Sequence, residues 1–282
     1  MHPPLSPPLS LSVSIVVHDS PVELLQQVLA SLLRSARIAA AAGCLEKAVV
    51  DVLDNSPDPD QRHRVEETVS RLPPEDVVSV RYTRLPENRG FGAGHNAALE
   101  ALTSDVHLVL NPDAVLEEDA LRAGLARLAA AADIALLSPR VRGVTGAIEY
   151  LCRRYPSVLV LLLRGFAPQP IRRLFRRRLD HYEMRDLCTG EQEVDIPLAS
   201  GCFMLVRTGA LRAVGGFDER YFLYFEDYDL SLRLADHGRL VFCPAMRIVH
   251  HGGYASSKGF RHVRHFVRSG TRFFHDHGWR WI

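Results

Sequence analysis

The segment 217–230 interleaves the carboxylates Asp218, Glu219, Glu226, Asp227 and Asp229 with Phe217, Tyr221, Phe222, Tyr224, Phe225 and Tyr228. It lies between a double glycine, Gly215 and Gly216, and a helical pattern of leucines, Leu230, Leu232 and Leu234. A run of carboxylates by itself is ordinarily a solvated face. Aromatics at this density are costly on such a face, so Glu226, Asp227 and Asp229 are expected at a partly buried site, where one carboxylate can serve as a general base.

Other polar clusters stand where strands should end. His18 and Asp19 follow the β-branched run 13–17, and Asp54-Asn55-Ser56 follows the apolar run 48–53. Each cluster is a good turn former, and in a nucleotide site Asp54 could accept a hydrogen bond from a pyrimidine N3–H. The segment Asn88-Arg89-Gly90-Phe91-Gly92-Ala93-Gly94-His95-Asn96 lacks the spacing of a dinucleotide fingerprint. Its glycines would let backbone approach either a ligand or a packed neighbour, and Arg89 offers a cation to phosphate. Asn111-Pro112-Asp113 ends a further apolar run, 106–110; Pro112 forbids continuation of a central strand, so Asp113 projects where a diphosphate-bound cation could sit. Near the end of the chain, His250 and His251 follow an apolar strand. Neighbouring side chains on a strand point to opposite faces, so one of the pair, His250, is expected to enter the site.

The elements that must position these groups alternate. Strands at 13–17, 48–53, 77–82 and 106–110 are followed by helical patterns at Leu24–Leu32, 61–72, 90–99 and 116–131. That order predicts an α/β fold with a mainly parallel sheet and helices on both faces, which binds ligands at the carboxyl ends of its strands. Later come short strands at 203–206, 240–242 and 247–249, and a basic, aromatic helix over about 258–277. Its histidines, His262, His265, His275 and His277, are expected at the surface. The expected organisation is a disordered tail at 1–12, one domain over 13–256 and a C-terminal helix over 257–282. Within the domain, 13–113 would form one half, 195–256 another, and 151–193 a basic insert.

The 282 residues carry a formal net charge of +1 and 47% hydrophobic residues, which fits a globular domain and excludes a general nucleic-acid binder. The five cysteines are widely spaced without Cys-x-x-Cys, as expected for reduced thiols in a cytoplasmic protein. The longest apolar run, 158–163, is far short of the ~20 residues of a spanning helix. Between Pro170 and Leu179, Ile171, Leu174, Phe175 and Leu179 recur at helical spacing among Arg172, Arg173, Arg176, Arg177 and Arg178. One cationic amphipathic helix is expected there, suited to an anionic membrane surface or to packing on the domain.

In this order the segments 13–19, 54–56, 87–92, 95–96, 110–113, 200–204, 215–218, 225–230 and 250–253 resemble the family 2 glycosyltransferases with a GT-A fold, in particular their bacterial rhamnosyltransferase-like branch. The resemblance implies an inverting transferase that moves a sugar from a dTDP- or UDP-sugar to a glycan or polyprenyl-linked glycan in surface polysaccharide synthesis. L-rhamnose from dTDP-rhamnose is the first choice of donor; a UDP-hexose or UDP-N-acetylhexosamine is the alternative. A non-catalytic sugar-nucleotide-binding subunit is the reading from another class. It further implies Mg²⁺ or Mn²⁺ held by Asp113 and His250, with Asp227 as base and Glu226 and Asp229 orienting the acceptor. Val17, His18, Asp19, Asp54, Asn55, Asn88, Arg89, Gly90, Gly94, Asn96 and Asn111 would line the nucleotide-sugar pocket. Asn111 stands where that family often has the first carboxylate of Asp-x-Asp. A location at the inner face of the cytoplasmic membrane would follow from a lipid-linked acceptor.

Overall fold

A computed structural model of the chain describes residues 7–99, 102–252 and 259–282. The first half runs β1 (Leu9–Val17), α1 (Val22–Ala41), β2 (Leu45–Asp54), α2 (Pro59–Ser70), β3 (Val78–Arg84), α3 (Phe91–Asn96), β4 (Val106–Leu110), β5 (Ala114–Leu116), α4 (Ala120–Ala130), β6 (Ile134–Gly143) and β7 (Ile148–Glu149). The second runs α5 (Val158–Phe166), α6 (Gln169–Leu174), α7 (Arg176–Tyr182), β8 (Val194–Asp195), β9 (Phe203–Arg207), α8 (Thr208–Ala213), α9 (Glu226–Leu234), β10 (Arg239–His250) and α10 (Phe260–His277).

The central sheet has the order β3-β2-β1-β4-β9-β6-β10-β5, with β7 on β6 and β8 on β10. The pairings make β3, β2, β1, β4, β6 and β10 run one way, while β9 and β5 run against their neighbours. The carboxyl ends of β1, β2, β4 and β10 therefore lie along one edge, and the amino end of β9 joins them, since Leu110 pairs with Phe203. Alternation along β9 shows the two layers. Phe203 and Leu205 pack with Leu25, Leu29, Leu121 and Leu125 of α1 and α4, whereas Met204 and Val206 pack with Leu211, Leu230 and Leu234 of α8 and α9.

Four expectations change. The strand expected at 13–17 begins at Leu9, so residues 9–12 of the expected tail belong to the sheet; residues 1–6 lie outside the described residues. Buried serines disguised the strand, and they are satisfied: Ser10 bonds Asp105, and Ser12 bonds His107 Nδ1. β6 escapes a reading by periodicity because Pro139 interrupts it. The missing N–H falls opposite the register shift of β10 between Cys243 and Arg247, and the stretches expected separately at 240–242 and 247–249 are that one continuous strand. β9 inserts between β4 and β6, so the expected halves share one sheet. Finally, the helix expected between Pro170 and Leu179 is two helices, α6 and α7, broken at Phe175.

The loop 217–224 is pressed onto the start of α3. Gly90 has φ +104°, and a Cβ there would stand 2.2 Å from Phe222 O, the atom that accepts the Phe91 N–H at 3.0 Å. Asn96 completes the seam: its amide donates to Phe217 O at 2.8 Å and its Oδ1 accepts the Phe217 N–H at 2.9 Å. Gly90→Ala is expected to cost more than about 2 kcal/mol, since both the backbone conformation and the space demand glycine. Urea unfolding followed by circular dichroism measures it.

Candidate functional site

The carboxylates of the acidic-aromatic segment separate into distinct environments. Tyr224 and Phe225 take left-handed backbone conformations, φ 70° and 68°, which turn the chain abruptly into α9. Glu226 and Asp227 begin that helix beside a cavity of about 140 Å³ whose walls include Arg164, Tyr182, Tyr224, Tyr228 and Phe266. Asp227 is half-buried and held at both oxygens, Oδ2 by the Gly201 N–H and Oδ1 by the Tyr228 N–H, each at 2.9 Å. Burial raises its pKa, while those backbone donors and the buried Arg153 act to keep it ionised. Glu226 is 5% exposed and its Oε2 has no hydrogen-bond partner. Burial, and then the charge of Asp227, push its pKa well above the ordinary range. Two adjacent carboxyl groups thus differ in character, one an oriented carboxylate and the other an acid that favours its proton.

Asp229, expected to orient an acceptor, is turned away from this pair. Its Oδ2 pairs with Arg233 at 2.6 Å and its Oδ1 meets His277 Nε2 at 2.8 Å. It joins α9 to α10 and is 3% exposed. Of the α10 histidines expected at the surface, His275 is exposed, whereas the others hold this segment: His277 through Asp229, His262 through the Tyr224 hydroxyl at 3.0 Å, and His265 by stacking on Phe222.

A second cluster forms where β4, β7 and β10 end. His250 Nε2 stands 3.4 Å from Asp113 Oδ1, and its Nδ1 is 2.8 Å from Glu149 Oε2. Asp113 Oδ1 and Asn111 Oδ1 are buried without hydrogen-bond partners. An Nδ1–H given to Glu149 leaves Nε2 facing a carboxylate oxygen, an arrangement that requires a proton or a cation between them. Burial disfavours charge on His250, but Asp113 and Cys202 outweigh it and its pKa rises to about 12. The same carboxylates favour a hard metal cation, whose ligands at ~2.1 Å stand about 3 Å apart. Among the described residues no group of three or more His, Cys, Asp or Glu side chains forms a metal cage. The residues fit an ion completed by ligand oxygens, such as those of a diphosphate. Gly253, part of the same motif, lies outside the described residues.

The turn before β9 joins the two clusters. Gly201 donates to Asp227, and the next carbonyl, of Cys202, accepts the Asn111 N–H at 3.0 Å. Asp113, Asp227 and His250 are therefore connected through Gly201 and Cys202. The lining of the small cavity includes Asp227 but not the other two.

The expected nucleotide residues divide in the same manner. His18, Asp19, Asn88 and Arg89 are exposed at the strand ends. His18 Nδ1 contacts Asn55 O at 3.1 Å, the Asp19 N–H donates to Ser56 Oγ, and Arg89 is paired with Glu219 at 2.6 Å. Asn55 is buried with an unpartnered Oδ1. Asp54 has no exposed surface; it accepts from the Ser56 N–H and the Tyr82 hydroxyl, so it shapes the turn instead of facing a base. Val17 is equally buried, and its carbonyl accepts the Asn55 N–H. Gly90 abuts Phe222, Gly94 abuts Val16, and Asn96 latches the acidic loop, so all three pack protein against protein. Sequence reasoning missed Glu149, Arg153 and Tyr182. Only their burial near carboxylates or the cavity marks them, and no local motif does.

The family described as "Glycosyltransferase like family 2" matches residues 7–272, and the chain belongs to that family. It is 29% identical over 192 residues to a Mycobacterium tuberculosis protein named N-acetylglucosaminyl-diphospho-decaprenol L-rhamnosyltransferase, covering 64% of this chain and 61% of that one. It is 27% identical over 188 residues to rhamnosyltransferase WbbL of Escherichia coli, covering 61% and 66%. The chain thus spans about three fifths of the mycobacterial relative. Among solved structures, a Pyrobaculum calidifontis mannosyltransferase in complex with GDP-Man and Mn²⁺ superposes with a TM-score of 0.60 at 16% identity, over 95% of this chain and 65% of that one. GalNAc-T7 with UDP, GalNAc and Mn²⁺ also gives 0.60 at 16% identity, over 86% and 44%. These superpositions establish the GT-A fold.

The raised pKa of Glu226 leaves a signature in stability. A carboxyl group whose folded pKa is raised contributes stability that is complete below its unfolded value, 4.5, and lost as pH rises through the folded value. Glu226→Gln is therefore expected to flatten the decline of Tm above about pH 5 and to be more stable than the parent at alkaline pH. Thermal melts across pH check it; parallel curves for the two proteins would contradict the assignment.

Proposed function

We propose that this chain is an inverting glycosyltransferase that moves a sugar, L-rhamnose from dTDP-rhamnose first among the donors, to a lipid-linked glycan acceptor. The observation that carries this reading is the turn at Gly201 and Cys202, which ties an oriented carboxylate, Asp227, to the Asn111–Asp113 strand end. The named activities of the mycobacterial and Escherichia coli relatives favour rhamnose, and the mycobacterial name favours a diphospho-prenol acceptor.

Asp113 and His250 would hold Mg²⁺ or Mn²⁺, with Glu149 orienting the imidazole. When bound, the ion offsets the charge that builds on the departing diphosphate. Arg89, His18, Asp19 and Asn88 provide the exposed polar edge on which the nucleotide would rest. Asp227 removes the proton from the acceptor hydroxyl. As it does so, the acceptor oxygen bonds to the anomeric carbon and the bond from that carbon to the diphosphate breaks. A direct displacement needs only this one base and inverts the centre. Glu226, protonated by its burial, spares the site a second negative charge beside the base.

Among the described residues no helix is long and apolar enough to cross a membrane. Exposed Leu162, Phe166, Ile171 and Leu174 lie on α5 and α6, with arginines of α6 and α7 adjoining them in sequence. We assign to that surface a peripheral contact with the inner face of the cytoplasmic membrane.

Asp227→Asn is expected to lower turnover roughly 10²–10⁴-fold, as for loss of a general base, with sugar-nucleotide affinity retained. Rate assays paired with donor titrations measure both, and full activity in this variant would move the base elsewhere. Asp113→Ala should abolish the part of donor binding that depends on metal. Calorimetric titration of dTDP-rhamnose, UDP-glucose and UDP-GlcNAc with and without Mn²⁺ tests this, and binding of none of the three by the parent protein would refute the donor assignment.

A further inference from the structure

A cavity lined by neither Asp113 nor His250 lies beside α5 and α7. Its volume is about 490 Å³, and its walls include Arg154, Arg177, Arg178, His181, Arg280 and Tyr182, with no acidic side chain among the lining residues. Arg154 is already neutralised by Asp186 through two hydrogen bonds of 2.8 Å. Arg280 is fixed over the Tyr155 ring at 4.1 Å and anchored by its carbonyl, which accepts the Val158 N–H. Among the described residues Arg177, Arg178 and Arg280 form no ion pair with a carboxylate. Several guanidinium groups sharing one concave wall repel one another, and that cost is relieved by an anion able to accept from more than one of them.

Two further features say which anion. Tyr182 lines both this cavity and the smaller one at Glu226 and Asp227, and its hydroxyl bonds that of Tyr228 at 2.9 Å. The basic cavity is therefore the next compartment beyond the proposed base. On its outer side stand Trp281 and Ile282, exposed by 65% and 83%, and the backbone of Trp281 is tied to α5 by the Leu159 N–H. From the base outward the order is carboxylate, tyrosine pair, arginine cavity and exposed apolar surface.

We infer that the arginine cavity binds the diphosphate of a lipid-linked acceptor, placing the acceptor's sugar at Asp227 and directing its lipid toward the apolar surface. This deepens the transferase reading and rests on it for the identity of the acceptor. The chemistry recognised is a phosphate ester, which a phospholipid headgroup also carries. A diphosphate supplies more charge in one compact group, which suits several arginines on one concave wall better than a flat headgroup layer does.

The test uses the full chain in EDTA, so that neither metal, donor nor turnover is involved and its outcome is independent of whether transfer is ever observed. Farnesyl diphosphate is the probe, farnesol the uncharged control, and binding is read by calorimetry. The expected result is saturable binding of farnesyl diphosphate and none of farnesol, weakened at least about tenfold in R177Q/R178Q. Removing equal charge from α2 and the residue that follows it, in R64Q/R71Q, should leave it unchanged. Both cavity arginines are exposed, so the double variant should fold as the parent does. Equal affinity in parent and cavity variant overturns the inference, as does loss of binding in Asp113→Ala, which would place the probe at the donor site. A cavity variant that loses binding only to phosphatidylglycerol vesicles, with farnesyl diphosphate unaffected, overturns it in favour of a headgroup site.

Discussion

One hydrogen bond organises the site, that from the Gly201 N–H to Asp227. A carboxylate at the start of a helix would otherwise be free to rotate toward its neighbours or solvent. Here a backbone donor from the turn before β9 fixes one oxygen while the helix's own N–H at Tyr228 fixes the other. Because Gly201 precedes the residue whose carbonyl binds Asn111, the same turn sets the position of the base relative to the end of β4. The antiparallel placement of β9 is what makes this possible: its amino end, not its carboxyl end, meets the ligand edge of a sheet whose other principal strands arrive there by their carboxyl ends.

Around that bond the protein separates charges that look equivalent in the primary order. Asp229 is paired with Arg233 and His277, and Asp218 with Arg220. Burial raises the pKa of Asp227 against the opposing pull of two backbone donors and Arg153, and that of Glu226, with one oxygen unpartnered, is pushed well above the ordinary range. The cluster of Asp113, Glu149 and His250 follows the opposite logic. Its acceptors remain stranded because a positive group is needed between them. The site thus carries a region that favours a cation beside a region that favours a single carboxylate.

Much of this was legible in the sequence, for reasons that can be named. Strand ends were readable because apolar runs stop at Asp, Asn and His, and those ends converge in any mainly parallel sheet. Asp113 and His250 were readable as partners through the family pattern, and they do meet. Asn96, Gly90 and Gly94 carry the same motif signature whether they touch a ligand or protein; here Asn96 and Gly90 touch the 217–224 loop and Gly94 abuts Val16 of β1. Asp54 looked like an open carboxylate, yet Tyr82, on an adjacent strand, closes it.

The linear order by itself determined the alternation of strands and helices, the polar residues at the strand ends, and the crowding of aromatics around Glu226 and Asp227. Those follow from backbone preference and from burial of apolar groups, which act over a few residues. Only the tertiary structure decided which carboxylate is satisfied, which is oriented and which is left wanting a proton. Each of those outcomes depends on partners distant in the chain, such as Gly201, Glu149 and His277. The field at a buried charge is set by whatever lies within a few ångströms, wherever in the chain it originates.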